Sequence, residues 1–140
     1  MFVKTIAIAA LMLFFQCRSG FAQQCLHEGG ETPDQQARRK EALAAARMIN
    51  TIQHNLPPAR NGIFLGAEDL ANMIAAMYDK GVPMMRFSFA PDTDITPGWR
   101  LALDLTKNGY WFSINDVTDP CGFAYISNTS GLIYNAQHLR

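Results

Sequence analysis

The stretch from Trp99 to Ala136 limits most severely what this chain can fold into, because it holds two pairs of short strand-like runs, each pair flanking turn residues. Trp99-Arg100-Leu101-Ala102-Leu103-Asp104-Leu105 alternates with the period of two expected of a strand with one buried face. Asn108-Gly109 follows, and Asn-Gly between alternating runs is a strong hairpin signal, since a tight primed turn needs positive φ at both central residues. With those two as the turn, Leu105 is expected opposite Phe112 and Leu103 opposite Ile114. The other face then carries Arg100, Asp104, Ser113 and Asn115, with Trp111 as its apolar exception. A large aromatic among polar neighbours makes Trp111 a possible contact residue.

A second hairpin is expected around Asn128-Thr129-Ser130-Gly131. Pairing Ser127 with Leu132 sets Ile126 opposite Ile133 and Tyr125 opposite Tyr134, and either face could be the buried one. Asp116 to Gly122, with its Pro120 and Gly122, reads as the connecting loop.

Upstream, Thr32-Pro33-Asp34-Gln35 is a helix start: Thr32 caps, Pro33 suits the first helical position, and Gln35 completes a capping box. Ala45, Met48, Ile49, Ile52 and Leu56 form an apolar stripe at helical spacing, with Arg38, Arg39, Lys40, Arg47 and Gln53 opposite. Pro57 and Pro58 stop the helix near His54 or Asn55. A second helix is expected over 67–80, with Leu70, Met73, Ile74, Met77 and Tyr78 on its buried stripe and Lys80-Gly81 at its end. Met84 to Phe89 could add a short edge strand, and Pro91 to Gly98 reads as an exposed loop. The predicted class is α+β: the long helix and the short one packed on one face of a four-stranded antiparallel meander.

The N-terminus has the form of a secretory leader: a basic start at Met1–Lys4, an apolar run over Thr5–Phe15, and small residues in Gly20-Phe21-Ala22. The run is shorter than the roughly 20 apolar residues of a spanning helix, which favours cleavage over a membrane span. The expected organisation is a signal peptide over 1–22, a flexible lead-in over 23–31 and one domain over 32–140, in a periplasmic or secreted protein. Cys17 offers a competing reading as a lipid-acceptor cysteine, but Phe14-Phe15-Gln16 before it fit that use poorly. Without the leader, ten basic and twelve acidic residues remain, a net charge of −2. That charge argues against nucleic acid or an anionic membrane surface as partner. A protein partner remains open, and oligomeric state is not encoded legibly.

Cys25 and Cys121 are then the remaining cysteines, and in an oxidising compartment they are expected to form a disulfide. It would tie the N-terminal segment to the loop between the hairpins and stabilise by roughly 4–5 kcal/mol through loop closure. A redox or metal thiol site would want a Cys-x-x-Cys or an adjacent histidine, and neither is present. Met73, Met77, Met84 and Met85 could in principle hold copper(I), although their spacing also suits a helix core. Asp92 and Asp94 are weak calcium candidates, with Pro97 standing where an EF-hand loop needs glycine. His27, His54 and His138 have no metal-ligand spacing, and no nucleophile elbow, phosphate loop or dinucleotide fingerprint occurs. No cofactor and no catalytic residue is expected.

Ala44-Ala45-Ala46-Arg47-Met48-Ile49-Asn50-Thr51-Ile52, followed by a meander ending in Gly122-Phe123-Ala124-Tyr125-Ile126-Ser127-Asn128-Thr129-Ser130-Gly131-Leu132-Ile133-Tyr134, resembles the globular half of type IV pilin-like proteins and pseudopilins over about Glu41 to Asn135. In that family an aromatic strand, a Ser-Gly turn and a Val/Ile strand close the sheet over the first helix. Gly20-Phe21 is present as in a prepilin leader, but the apolar run precedes it and Cys25 stands where the family has glutamate. The resemblance therefore implies a soluble pilin-like domain, not a subunit assembled through an apolar helix, and implies no catalytic residues. The expected function is an exported, non-catalytic binding or scaffolding domain. The alternative is a small periplasmic enzyme or a calcium- or copper-binding protein.

Overall fold

A computed structural model describes Cys25, His27 and residues 29–55, 62–81, 87–89 and 93–137. The leader, Cys17, Leu56, Met84, Met85, Asp92 and His138 lie outside the described residues. Helix α1 spans Pro33–Asn55 and α2 spans Ala67–Asp79. Strands β1 (Asp94–Thr96), β2 (Trp99–Thr106), β3 (Gly109–Asp116), β4 (Ala124–Asn128) and β5 (Ile133–Ala136) form one antiparallel sheet in the order β1-β2-β3-β4-β5. The protein is α+β, with five strands rather than four.

Both arms of the expected capping box start α1: the Thr32 amide donates to Gln35 Oε1 at 2.8 Å, and the Gln35 amide donates to Thr32 Oγ1 at 3.3 Å. The helix packs on β4 and β1 with Ala42, Ala45, Ala46, Ile49 and Ile52 buried. Helix α2 adds Leu70 and Ile74 to the same core, with Met73 partly buried against it. Tyr78, expected on that stripe, is 42% exposed instead. It lies at the end of a short helix that buries only its first two turns.

The added strand is β1. Its Ile95 and Thr96 are buried, although the flanking Pro91 and Pro97 make the segment read as a loop. Three residues suffice because β1 only extends the edge of β2, and Thr96 Oγ1 donates to Glu41 Oε2 on α1 at 2.6 Å. Residues 87–89 form no strand, yet Phe89 is buried and Phe87 packs against the core.

The turn of the first hairpin lies one residue earlier than expected. Leu103 pairs with Phe112, Leu105 with Tyr110 and Thr106 with Gly109, so Lys107-Asn108 make the turn. The slip is by two residues, which leaves every side chain on its expected face. Gly109 is needed for closeness and not for turn geometry, because a Cβ there would lie 2.4 Å from Thr129 Cγ2. Leu101 and Leu103 are half-buried, but Leu105 is 49% exposed at the turn end of β2.

The second hairpin pairs Ser127 with Ile133, Ile126 with Tyr134 and Tyr125 with Asn135, one residue off the expected register. One hydrogen bond within the hairpin and one from α1 decide it. Ser127 Oγ donates to the Leu132 carbonyl at 2.7 Å, while Asn50 of α1 donates to the Gly131 carbonyl at 2.9 Å. Gly131 sits at φ +72°, and the hairpin turns there. Tyr125 and Ser127 therefore face the helices, and Ile126 and Tyr134 face away.

Candidate functional site

Three groups of side chains could serve function: a charged cluster beside the disulfide, a cleft between α1 and β5, and the outer face of the sheet.

The charged cluster is the most site-like at first sight. Cys25 and Cys121 are disulfide-bonded, 5.3 Å apart at Cα, and bring the N-terminal segment onto the β3–β4 loop. The stretch read as a flexible lead-in thereby contributes His27 and Glu31, whose side chains are only 3% and 7% exposed. His27 Nδ1 meets Glu31 Oε1, and Nε2 meets Asp116 Oδ2 at 2.9 Å. Its ring lies 4.1 Å from that of Phe123, centroid to centroid. Arg39 Nε closes the set on Glu31 Oε1 at 2.9 Å. Asp116 Oδ1 accepts from the Thr118 amide and hydroxyl, and Asp119 accepts from the amides of Cys121 and Phe123. Nε2 is thus hydrogen-bonded to Asp116, whereas the contacts of Nδ1 with Glu31 and of Glu31 Oε1 with Arg39 Nε are ion-pair contacts without hydrogen-bond geometry, and the two loop aspartates fasten the loop. Buried and ringed by carboxylates, the imidazole is placed as a tie between the N-terminal segment and the loop.

A second tie, made of neutral groups, holds the other end of α1. Asn50 Nδ2 donates to Ser127 Oγ at 2.9 Å, and the Tyr110 hydroxyl donates to Asn50 Oδ1 at 3.0 Å. Burial pushes the Tyr110 phenol up to about 12. Gln53, read from sequence as part of the polar side of α1, is 1% exposed and pairs with the Leu65 backbone, donating to its carbonyl at 2.7 Å and accepting from its amide at 2.9 Å. A glutamine that satisfies one residue's amide and carbonyl together can be buried at little cost.

Between α1 and β5 lies an open cleft of about 530 Å3 lined by Arg39, Leu43, Arg47, Tyr125, Ile133 and Asn135, among others. It continues past Arg39 and Asn135 into a second hollow that reaches His27, Phe123 and Gln137. Burial raises the Tyr125 phenol; the Arg39 guanidinium, hydrogen-bonded to it, and the charge of Arg47 pull it back, against a push from Glu31. Both arginines therefore act at the cleft floor.

The outer sheet face carries no helix among the described residues. Trp111 is 42% exposed there, and Ile126 and Tyr134 are paired beside it across β4 and β5. Arg100 and Asp104 stand on the same face of β2, opposite Asn115 and Trp111. Trp111 thus sits where the hairpin pattern puts it.

The remaining sequence candidates do not gather. Asp94 accepts from the Gly98 amide at 2.9 Å and pairs with Arg100 at 3.4 Å, which orders the β1–β2 turn. Met73 belongs to the core of α2. Among the described residues, no group of three or more His, Cys, Asp or Glu side chains is arranged to hold a metal ion. No helix among them is long and apolar enough to cross a membrane.

The sequence reading missed the His27 cluster. Its one local signal is the His27-x-x-x-Glu31 spacing; Asp116, Asp119 and Arg39 join only through the fold. No protein-family model, curated protein or solved structure matches this chain.

Proposed function

We propose that this chain acts outside the cytoplasm as a non-catalytic binding or scaffolding domain of pilin-like architecture, and that it meets a protein partner through the outer face of its sheet. The observation that carries the reading is the exposure of Trp111, Ile126 and Tyr134 together on a sheet face without a covering helix among the described residues. Aromatic residues at the centre of a patch, with Arg100 and Asp104 toward its side, are the composition of a protein-binding surface. The Cys25–Cys121 disulfide is compatible with an oxidising compartment. A long capped helix laid over an antiparallel meander supports the pilin-like reading of the fold. The cluster around His27 supports the non-catalytic one, since its side chains are buried and ion-paired with one another.

The test places a photo-crosslinking residue at position 126 and compares the otherwise unchanged chain with Trp111→Ala, in cells that export the protein. A discrete crosslinked protein that disappears in Trp111→Ala, while both forms melt at the same temperature, is the expected result. A crosslink pattern indifferent to Trp111→Ala in a folded protein would remove the outer face from the account.

A further inference from the structure

The cleft between α1 and β5 has features that the outer face does not explain. β5 is the last strand of the sheet, and among the described residues nothing pairs on its far side. In an edge strand, alternate residues turn their N–H and C=O groups away from the neighbouring strand, so β5 presents backbone groups that no other described residue pairs with. Beside that edge runs one ridge of α1, formed by Arg39, Leu43 and Arg47 at successive intervals of four residues.

The ridge and the edge run side by side in opposite directions. Arg47 and Gly131–Ile133 line the cleft, whereas Arg39 lines both it and the adjoining hollow that Asn135 and Gln137 share. The direction agrees with the bond from Asn50, one turn beyond Arg47, to the Gly131 carbonyl. The two arginines are eight residues apart, about 12 Å along a helix. In an extended strand, residues four apart are about 13 Å apart and point to the same side. The spacings match.

We propose that this edge binds an extended acidic peptide segment as a sixth strand, recognised by the pattern acid, any residue, apolar residue, any residue, acid. The backbone of the segment pairs with Ile133–Ala136, its two carboxylates meet Arg39 and Arg47, and its central apolar side chain lies against Leu43 and Ile133. Arg39 is ion-paired at Nε with Glu31 and bonded to the Tyr125 hydroxyl, which holds its guanidinium at the cleft for an incoming acid to share. Arg47 is exposed and supplies the second charge. This site does not depend on the outer face, and the two can succeed or fail separately.

The probe is a heptapeptide with glutamate at its second and sixth positions, valine at its fourth and threonine elsewhere, titrated into the oxidised, nitrogen-15-labelled chain. Saturable binding with amide shifts concentrated at Ile133, Tyr134, Asn135 and Ala136 is expected. Arg47→Glu should weaken it at least tenfold, and a peptide with lysine in place of both glutamates should bind Arg47→Glu better than the parent. Should Arg47→Glu lose the dispersed spectrum of the fold, Arg47→Gln serves in its place, with a smaller loss expected. Absence of saturable binding overturns the proposal, as does binding indifferent to the charge at position 47. A probe N-methylated at the amides that would face β5 should fail; equal binding by it contradicts strand addition. Free glutamate reproducing the same shifts at the same concentration would reduce the cleft to a small-anion site and sink the peptide claim.

Discussion

The inner and outer faces of the sheet use the same five strands and similar residue types, yet they behave as different materials. Inside, Phe112, Ile114, Tyr125 and Trp99 are buried under α1, and even the polar Ser127 and Asn50 there are fully hydrogen-bonded. Outside, Trp111, Ile126 and Tyr134 are equally apolar or aromatic but stand in solvent between Ser113, Asn115 and Asn128. Apolar character alone does not separate the two faces. Register does, because each side chain's face follows from a pairing that a one-residue slip would invert.

Substitutions on adjacent residues of β3 should therefore differ several-fold in cost. Phe112→Ala empties a fully buried site and should destabilise by about 3–5 kcal/mol in chemical denaturation. A loss below about 1 kcal/mol would mean the inner face is loosely covered.

The polar tie beneath the helix comes next. Asn50→Ala strands the Tyr110 hydroxyl and the Gly131 carbonyl, leaves Ser127 Oγ only its bond to the Leu132 carbonyl, and should cost about 3 kcal/mol with the second hairpin losing hydrogen-exchange protection first. Uniform loss of protection across the sheet would show that Asn50 does not set the β4–β5 register.

A smaller effect sharpens the contrast through pH. The folded protein keeps the Tyr110 proton up to about pH 12, whereas an unfolded chain releases it near 10. Folded Tyr110 thus holds more protons in that window. Its contribution is complete below pH 10 and is lost as pH rises toward 12, on the order of 1–2 kcal/mol once screening is counted. Tyr110→Phe should flatten that slope; an unchanged slope would assign it to other groups. Least affected should be Trp111→Ala, within about 0.5 kcal/mol of the parent, since it uncovers no core.

Much of this was legible from residue order. The Thr32–Gln35 box and the presence of two hairpins are local chemistry, and local chemistry survives folding. The first hairpin tolerated a misplaced turn because its slip was even. The second could not be settled locally, because Asn50, 77 positions away from Ser127, fixes it. Gln53 and Arg39 read as solvent-facing for the same reason: their partners, the Leu65 backbone and Glu31, are supplied by other segments. The short strand β1 is masked by its prolines, and the His27 cluster by a disulfide whose consequence for its neighbours is tertiary.

The division between faces can be read from the two tryptophans, which lie on opposite sides of it: Trp99 is 2% exposed and Trp111 is 42% exposed. Acrylamide quenching of Trp99→Phe and Trp111→Phe isolates each one in turn. The account predicts red-shifted, strongly quenched emission when only Trp111 remains, and blue-shifted, poorly quenched emission when only Trp99 remains. Equal quenching of the two would contradict it.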